Sequence, residues 1–151
     1  MLTSPWVSFD TSAPAFTTNA RKDLLHVKAG IRWAEAFLGA KYPFPKSITD
    51  EYNQASDASD EWWEEPGLMA RAVLIVAGKD EILIDSINEF GATLTRVKDK
   101  MRHSGRGCLE EVEILFAEGE AHDMPNMDLE IGCVEHGRQT QMIRSWFASH
   151  L

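Results

Sequence analysis

Two unbroken apolar runs and two long amphipathic stretches organise the second half of the chain. Val73-Leu-Ile-Val-Ala77 predicts a buried strand over 72–77, and Val112-Glu-Ile-Leu-Phe116 predicts a second over 111–116. Between them Ile84, Ile87, Phe90, Leu94, Val97 and Met101 recur at helical spacing, predicting a helix over 83–101. A basic, glycine-containing loop is expected from Lys98 to Gly107. Val134, Met142, Ile143, Trp146 and Phe147 mark the apolar side of a final helix over about 132–149. Strands this apolar, alternating with helices, predict an α/β fold whose mostly parallel sheet is covered on both faces.

The first half is less regular. In residues 1–16, Leu2, Trp6, Val7 and Phe9 lie among Ser, Thr and Pro, and Pro5 and Pro14 are incompatible with a helix interior. This reads as the end of a strand running into a loop, and a strand end requires a strand before it. Residues 18–39 carry Leu24, Leu25, Val27, Ile31, Ala34, Phe37 and Leu38 near helical spacing, with Asn19 as a candidate cap and Gly39 as the stop. Gly30 weakens that helix or splits it in two. Residues 40–66 are loop-like and acidic. Their Trp62 and Trp63 fit one ring on the core and one half exposed, or the aromatic wall of an apolar pocket.

Composition narrows the function classes. A chain of 151 residues fits one domain with a sizeable core. A net charge of −9 makes nucleic acid and anionic membranes poor partners. No apolar run approaches the roughly 18 residues of a membrane span. The start lacks the basic and apolar regions of a signal peptide, and Cys108 and Cys133 lack metal or CxxC spacing. Two free thiols and a cytoplasmic location are the resulting expectations.

The chemistry concentrates just past the two strands. Asp80 follows the first and His122 the second, at the sheet edge where α/β folds build sites. Asp80 could also cap the following helix, by accepting backbone N–H bonds. His122 sits in a loop of small residues, Glu118-Gly-Glu-Ala-His-Asp-Met-Pro125, where a core histidine fits poorly. An acid and a histidine on adjacent strand ends suit the two supporting members of a serine triad: the acid orients the imidazole, and the imidazole moves the proton. Glu120, His122 and Asp123 could also be read as a metal site, but their spacing matches no standard ligand pattern.

The stretches Leu2-Thr-Ser-Pro-Trp-Val-Ser8, Val73-Leu-Ile-Val-Ala-Gly-Lys-Asp-Glu-Ile-Leu-Ile-Asp-Ser86 and Glu118-Gly-Glu-Ala-His-Asp-Met-Pro125 carry a family likeness. Through them nearly the whole chain resembles the C-terminal portion of an α/β-hydrolase of the hormone-sensitive-lipase-like esterase group, fungal type. The resemblance implies a single partial domain over 1–151. Residues of about 17–66 would form a cap-like helix and loop over the acyl pocket. The chain would begin at the sixth strand of an eight-stranded fold, and residues 67–151 would form a strand-helix-strand-helix unit carrying the acid and the histidine. It implies that Asp80 is the triad acid and His122 the triad histidine, with Asp85 and Asp123 at a helix start and in loop structure. It implies a small-molecule ester substrate and no cofactor.

The family's Gly-x-Ser-x-Gly nucleophile elbow and His-Gly-Gly oxyanion motif do not occur in this sequence. The nearest stretch, His103-Ser-Gly-Arg-Gly107, lacks the first glycine and reads as a surface loop. Two functions of different class follow. One is a carboxylic-ester hydrolase whose serine lies elsewhere, inactive as this chain alone. The other is a non-catalytic remnant or interaction module that self-associates, or pairs with another chain, through an open sheet edge.

Overall fold

The structure, a computed structural model, describes residues 1–64, 70–105, 109–133 and 135–150. Its centre is β2 (Ala72–Gly78), whose residues Val73 to Gly78 are all buried. Burial of consecutive residues means burial on both faces, because side chains alternate along a strand. β3 (Glu111–Ala117) pairs with it in parallel, Ala72 opposite Glu111 through Gly78 opposite Ala117. The short β1 (Leu2–Thr3) pairs in parallel on the other side, Leu2 opposite Ile75. The order is therefore β1-β2-β3.

Val73, Ile75 and Ala77 face α4 (Ile84–Ser104), packing with Ile87, Phe90 and Leu94 in one core cluster. Leu74 and Val76, equally buried, lie outside that cluster, and α6 (Arg138–His150) contacts β2 and β3. Helices thus cover both faces, as the apolar strands predict. The helix expected over 83–101 forms from its 3.6-residue apolar spacing and runs three residues further, to Ser104. Gly105, at φ 63°, accommodates the left-handed turn that ends it. His103 and Ser104 therefore belong to the helix, not to a loop. Residues 106–108, with Cys108, and Val134 lie outside the described residues.

Two expectations about helices change. Asn19 does not start a helix over 18–39. It closes α1 (Ala15–Thr18), and α2 (Val27–Leu38) begins only after His26 accepts a bond from the Lys28 N–H. The break falls over 19–26 because the side chains there are bonded elsewhere: Asn19 to the carbonyls of Lys79 and Glu81, Asp23 to the N–H groups of Leu25, Ile82 and His122. Gly30 neither splits nor ends α2, and lies against the Trp6 ring.

The helix expected from 132 starts only at Arg138. Its first N–H groups, of Arg138 and Gln139, find their acceptor in the Glu120 carboxylate. The preceding residues form a separate helix, α5 (Met124–Glu130), with Pro125 in its first turn. In 40–66 the loop holds 3-10 turns at 46–48 and 55–57 and a short helix, α3 (Asp60–Glu64). Trp63 packs edge-on to Phe90 of the core, with Trp62 across it and Tyr52 beyond.

Two glycines separate tolerance from constraint. A Cβ at Gly30 would meet Trp6 at an ordinary 3.8 Å, whereas one at Gly78 would be driven into the Glu120 carbonyl, with the Ala121 oxygen at 2.7 Å. In urea unfolding, Gly30→Ala is expected to add roughly 0.5–1 kcal/mol of stability, from helix propensity and the stiffer unfolded chain. Gly78→Ala is expected to remove about 1–3 kcal/mol or more. Equal stability of the two variants would contradict this packing.

Candidate active site

The C-terminal ends of β2 and β3 lead into two turns pressed against each other. Lys79 N–H donates to the Ala117 carbonyl (2.9 Å) and Asp80 N–H to the Glu120 carbonyl (3.0 Å). The absent side chain at Gly78 permits this approach. The parallel pairing thus brings the acid-bearing and histidine-bearing turns side by side.

Asp80, expected to partner His122, does not meet it in the structure. Asp80 turns to the surface, where its carboxylate pairs with Lys22 at 3.2 Å. Exposed pairs of this kind contribute little to stability. The carboxylate that meets the histidine is the next one along the chain. Glu81 Oε2 lies 3.2 Å from His122 Nδ1. Asp80 does not serve as a side-chain cap for α4 either. That helix begins after Leu83, and its first-turn acid is Asp85, as expected. Asp85 Oδ2 also accepts from the Ala15 N–H (2.8 Å), tying α1 to α4.

Glu81 has no exposed surface, so its carboxylate depends on protein donors. Oε1 accepts from the Ser4 hydroxyl (2.6 Å) and from the Gly78 N–H (2.5 Å), and Oε2 faces the imidazole. Ser4 comes from the residue just after β1, whose N–H continues the pairing by donating to the Val76 carbonyl (2.8 Å). Its hydroxyl also accepts from the Asp123 N–H (3.1 Å). Among the described residues, Ser4 and Asp123 are the non-glycine residues with positive φ, 44° and 54°. Such backbone costs of order 1–3 kcal/mol and persists where surroundings over-determine it. Here both ends of one hydrogen bond behind the Glu81–His122 pair carry it.

His122 is partly exposed, and among the described residues its second ring nitrogen has no hydrogen-bond partner. Burial, the largest single influence on the ring, favours the neutral form. The hydrogen bond and charge of Glu81, with the charges of Asp23 and Asp123, outweigh it, and the pKa rises above its ordinary 6.5. The arrangement is an imidazole held through Nδ1 by a buried carboxylate, with Nε2 free to exchange a proton.

The other candidates have structural work. Asp123 bonds the Asn126 side chain and precedes α5, which fits the loop-structuring role expected of it. Glu120 is engaged at the start of α6. Cys133 is a free thiol donating to the Glu135 carbonyl (3.0 Å). An aromatic groove of about 360 Å³ lies between Trp6, Phe9, Trp33, Phe37 and Tyr52.

Sequence reasoning missed Glu81, Ser4 and Asp23. Glu81 is adjacent to the residue chosen, and period-2 alternation offers no guide once the strand has ended. Ser4 and Asp23 act over separations of 77 and 59 residues, for which spacing carries no signal.

Fold and site together define a mixed α/β protein with a small parallel sheet, matching part of an α/β-hydrolase-like structure. One solved structure similar to this chain is carboxyl esterase 2 from the mycorrhizal fungus Tuber melanosporum. The TM-score is 0.61 and the identity 19%, covering 85% of this chain and 36% of that chain. The chain therefore spans about a third of that esterase's length. No family model and no curated protein matches the chain.

The raised pKa of His122 makes a signed prediction. Stability gained by protonating the folded ring is complete below its ordinary 6.5 and is lost as pH rises through the raised value. In a His150→Gln background, because Glu111 raises that exposed ring as well, the melting temperature should fall across this window. Glu81→Gln should flatten the slope. A slope unchanged by Glu81→Gln would contradict the pairing.

Proposed function

We propose that this chain carries the acid–base half of a carboxylic-ester hydrolase related to the hormone-sensitive-lipase-like esterases. Its observational support is the Glu81–His122 pair, a buried carboxylate on an imidazole at the C-terminal ends of adjacent parallel strands. In this reading Glu81, not Asp80, is the acid. Glu81 holds the ring so that Nδ1 carries the proton and Nε2 accepts one. Nε2 removes the proton of a serine hydroxyl as the serine attacks the ester carbonyl, and returns it to the departing alkoxide. The second half-reaction repeats the transfer with water. The serine and the oxyanion donors come from polypeptide outside these 151 residues. The likeness in fold to a fungal carboxyl esterase supports the esterase class of this reading, and the Glu81–His122 geometry supports the roles of the two residues.

Tested alone, the chain should hydrolyse a p-nitrophenyl acyl ester no faster after purification than its His122→Ala variant. In a polypeptide extended upstream of Met1 through an in-frame Gly-x-Ser-x-Gly, Glu81→Gln and His122→Ala should each lower kcat by about 10³–10⁴-fold. Asp80→Asn should change it less than about tenfold, since removing an exposed ion pair costs well under 1.4 kcal/mol. A larger loss with Asp80→Asn than with Glu81→Gln would restore Asp80 as the acid.

A second reading rests on the sheet edge. Among the described residues β1 pairs on one side only, and Met1 and Leu2 are exposed there. In this reading the chain is a non-catalytic module that adds a strand from a second copy at that edge. Light scattering after size exclusion should then give a dimer that Leu2→Pro converts to monomer. A monomer at micromolar concentration would count against it.

A further inference from the structure

The segment between α1 and α2, residues 19–26, acts as a strap across both site turns. Asn19, itself buried, donates through Nδ2 to the carbonyls of Lys79 and Glu81, both at 2.9 Å. Asp23 does something different. One oxygen, Oδ2, accepts from the N–H of Ile82 (2.6 Å), the residue after Glu81. The other, Oδ1, accepts from the N–H of His122 itself (2.9 Å), and from Leu25 (3.2 Å). A single carboxylate therefore spans the two turns. It grips the backbone of each within one residue of the side chain that matters. Carboxylate bonds to N–H groups are among the stronger hydrogen bonds, and the carboxylate's fixed shape sets the separation of the two amides.

The contact it controls leaves little slack. At 3.2 Å, the Glu81–His122 separation is at the long end of an effective N–H···O bond. Glu81 is held from behind by Ser4 and Gly78, so it cannot follow a receding ring. The His122 turn contains Gly119 at φ 71° and Asp123 at φ 54°, a backbone that needs external support.

We propose that Asp23 is the positioning residue of the Glu81–His122 pair, its carboxylate locking the Ile82 and His122 amides together and so holding the imidazole against Glu81. The inference rests on the acid–base reading of that pair. Asp23 bonds backbone amides and not the ring, so its influence on any reaction passes through His122. The charged groups facing the ring are Glu81 from the turn after β2, Asp23 from the strap and Asp123 from its own turn.

The test uses the whole chain and proton NMR at about pH 5, where the imidazolium is populated. The wild type should show a downfield ring N–H resonance from His122 bonded to Glu81, and its absence there refutes the pair itself. Glu81→Gln should abolish the resonance. If it persists in Glu81→Gln, both the pair and the acid–base reading fall. Asp23→Ala should broaden or abolish it while far-UV circular dichroism stays native. Asp80→Ala, which removes a neighbouring carboxylate without touching the bridge, should leave it intact. Resonance intact in a folded Asp23→Ala refutes the positioning role alone, and loss in Asp80→Ala refutes it in favour of a general charge effect. If Asp23→Ala does not fold, Asp23→Asn carries the test. Its one remaining oxygen cannot serve both turns as the carboxylate does, so hydrogen exchange at Ile82 or His122 should quicken. Unchanged exchange at both amides together with an unchanged ring resonance overturns the proposal.

Discussion

The arrangement of this molecule turns on one buried carboxylate. Glu81 has no exposed surface, and an unpartnered charge in that position would cost several kcal/mol. It is tolerable because donors converge on it from three directions: Ser4 after β1, Gly78 at the end of β2, and His122 after β3. Each strand of the sheet therefore contributes a group to the same carboxylate. The need to satisfy Glu81 and the need to assemble an acid–histidine pair are met by the same bonds.

That convergence depends on the parallel register. Only in a parallel sheet do successive strands deliver their C-terminal turns to the same edge, and helices must carry the chain back each time. α4 makes that return between β2 and β3, and its Gly91 is part of the fit. A Cβ there would meet Ile114 of β3 at 2.5 Å, so the helix lies closer to the sheet than alanine would allow. Gly78 has the corresponding role at the site, admitting the Glu120 carbonyl against the end of β2. The acidic side chains around the pair serve different ends by position. Asp80 faces solvent and a lysine, Asp85 holds α1, and Asp23 joins the two turns.

Reading the chain from its residues succeeds where one segment's pattern reflects one environment. β2 and α4 are legible because a continuous apolar run and a 3.6-residue apolar repeat are buried as those patterns require, and β3 because its apolar run pairs along the whole of β2, although all but Ala117 of it is only partly buried. Reading fails where a side chain is committed to a distant segment. The apolar spacing from Leu24 to Leu38 is near helical and Asn19 offers a cap before it, yet Asn19 and Asp23 bond outward and the helix starts late. The pattern before Arg138 is likewise helical in part, but the acceptor that starts α6 is Glu120, 18 residues upstream.

The sequence by itself determined the α/β alternation, the two strand ends that the parallel sheet brings side by side, and the place of His122 just past the second of them. Periodicity, strand length and loop composition are local, and burial follows from them. Only the tertiary structure decided which of two adjacent acids faces the imidazole. Past Gly78 the backbone leaves the strand, side-chain direction stops alternating predictably, and the choice passes to the partners available. Lys22 and solvent take Asp80; Ser4, the Gly78 amide and His122 take Glu81. Those partners are brought together by packing between segments far apart in the chain, and no spacing along the sequence encodes their direction.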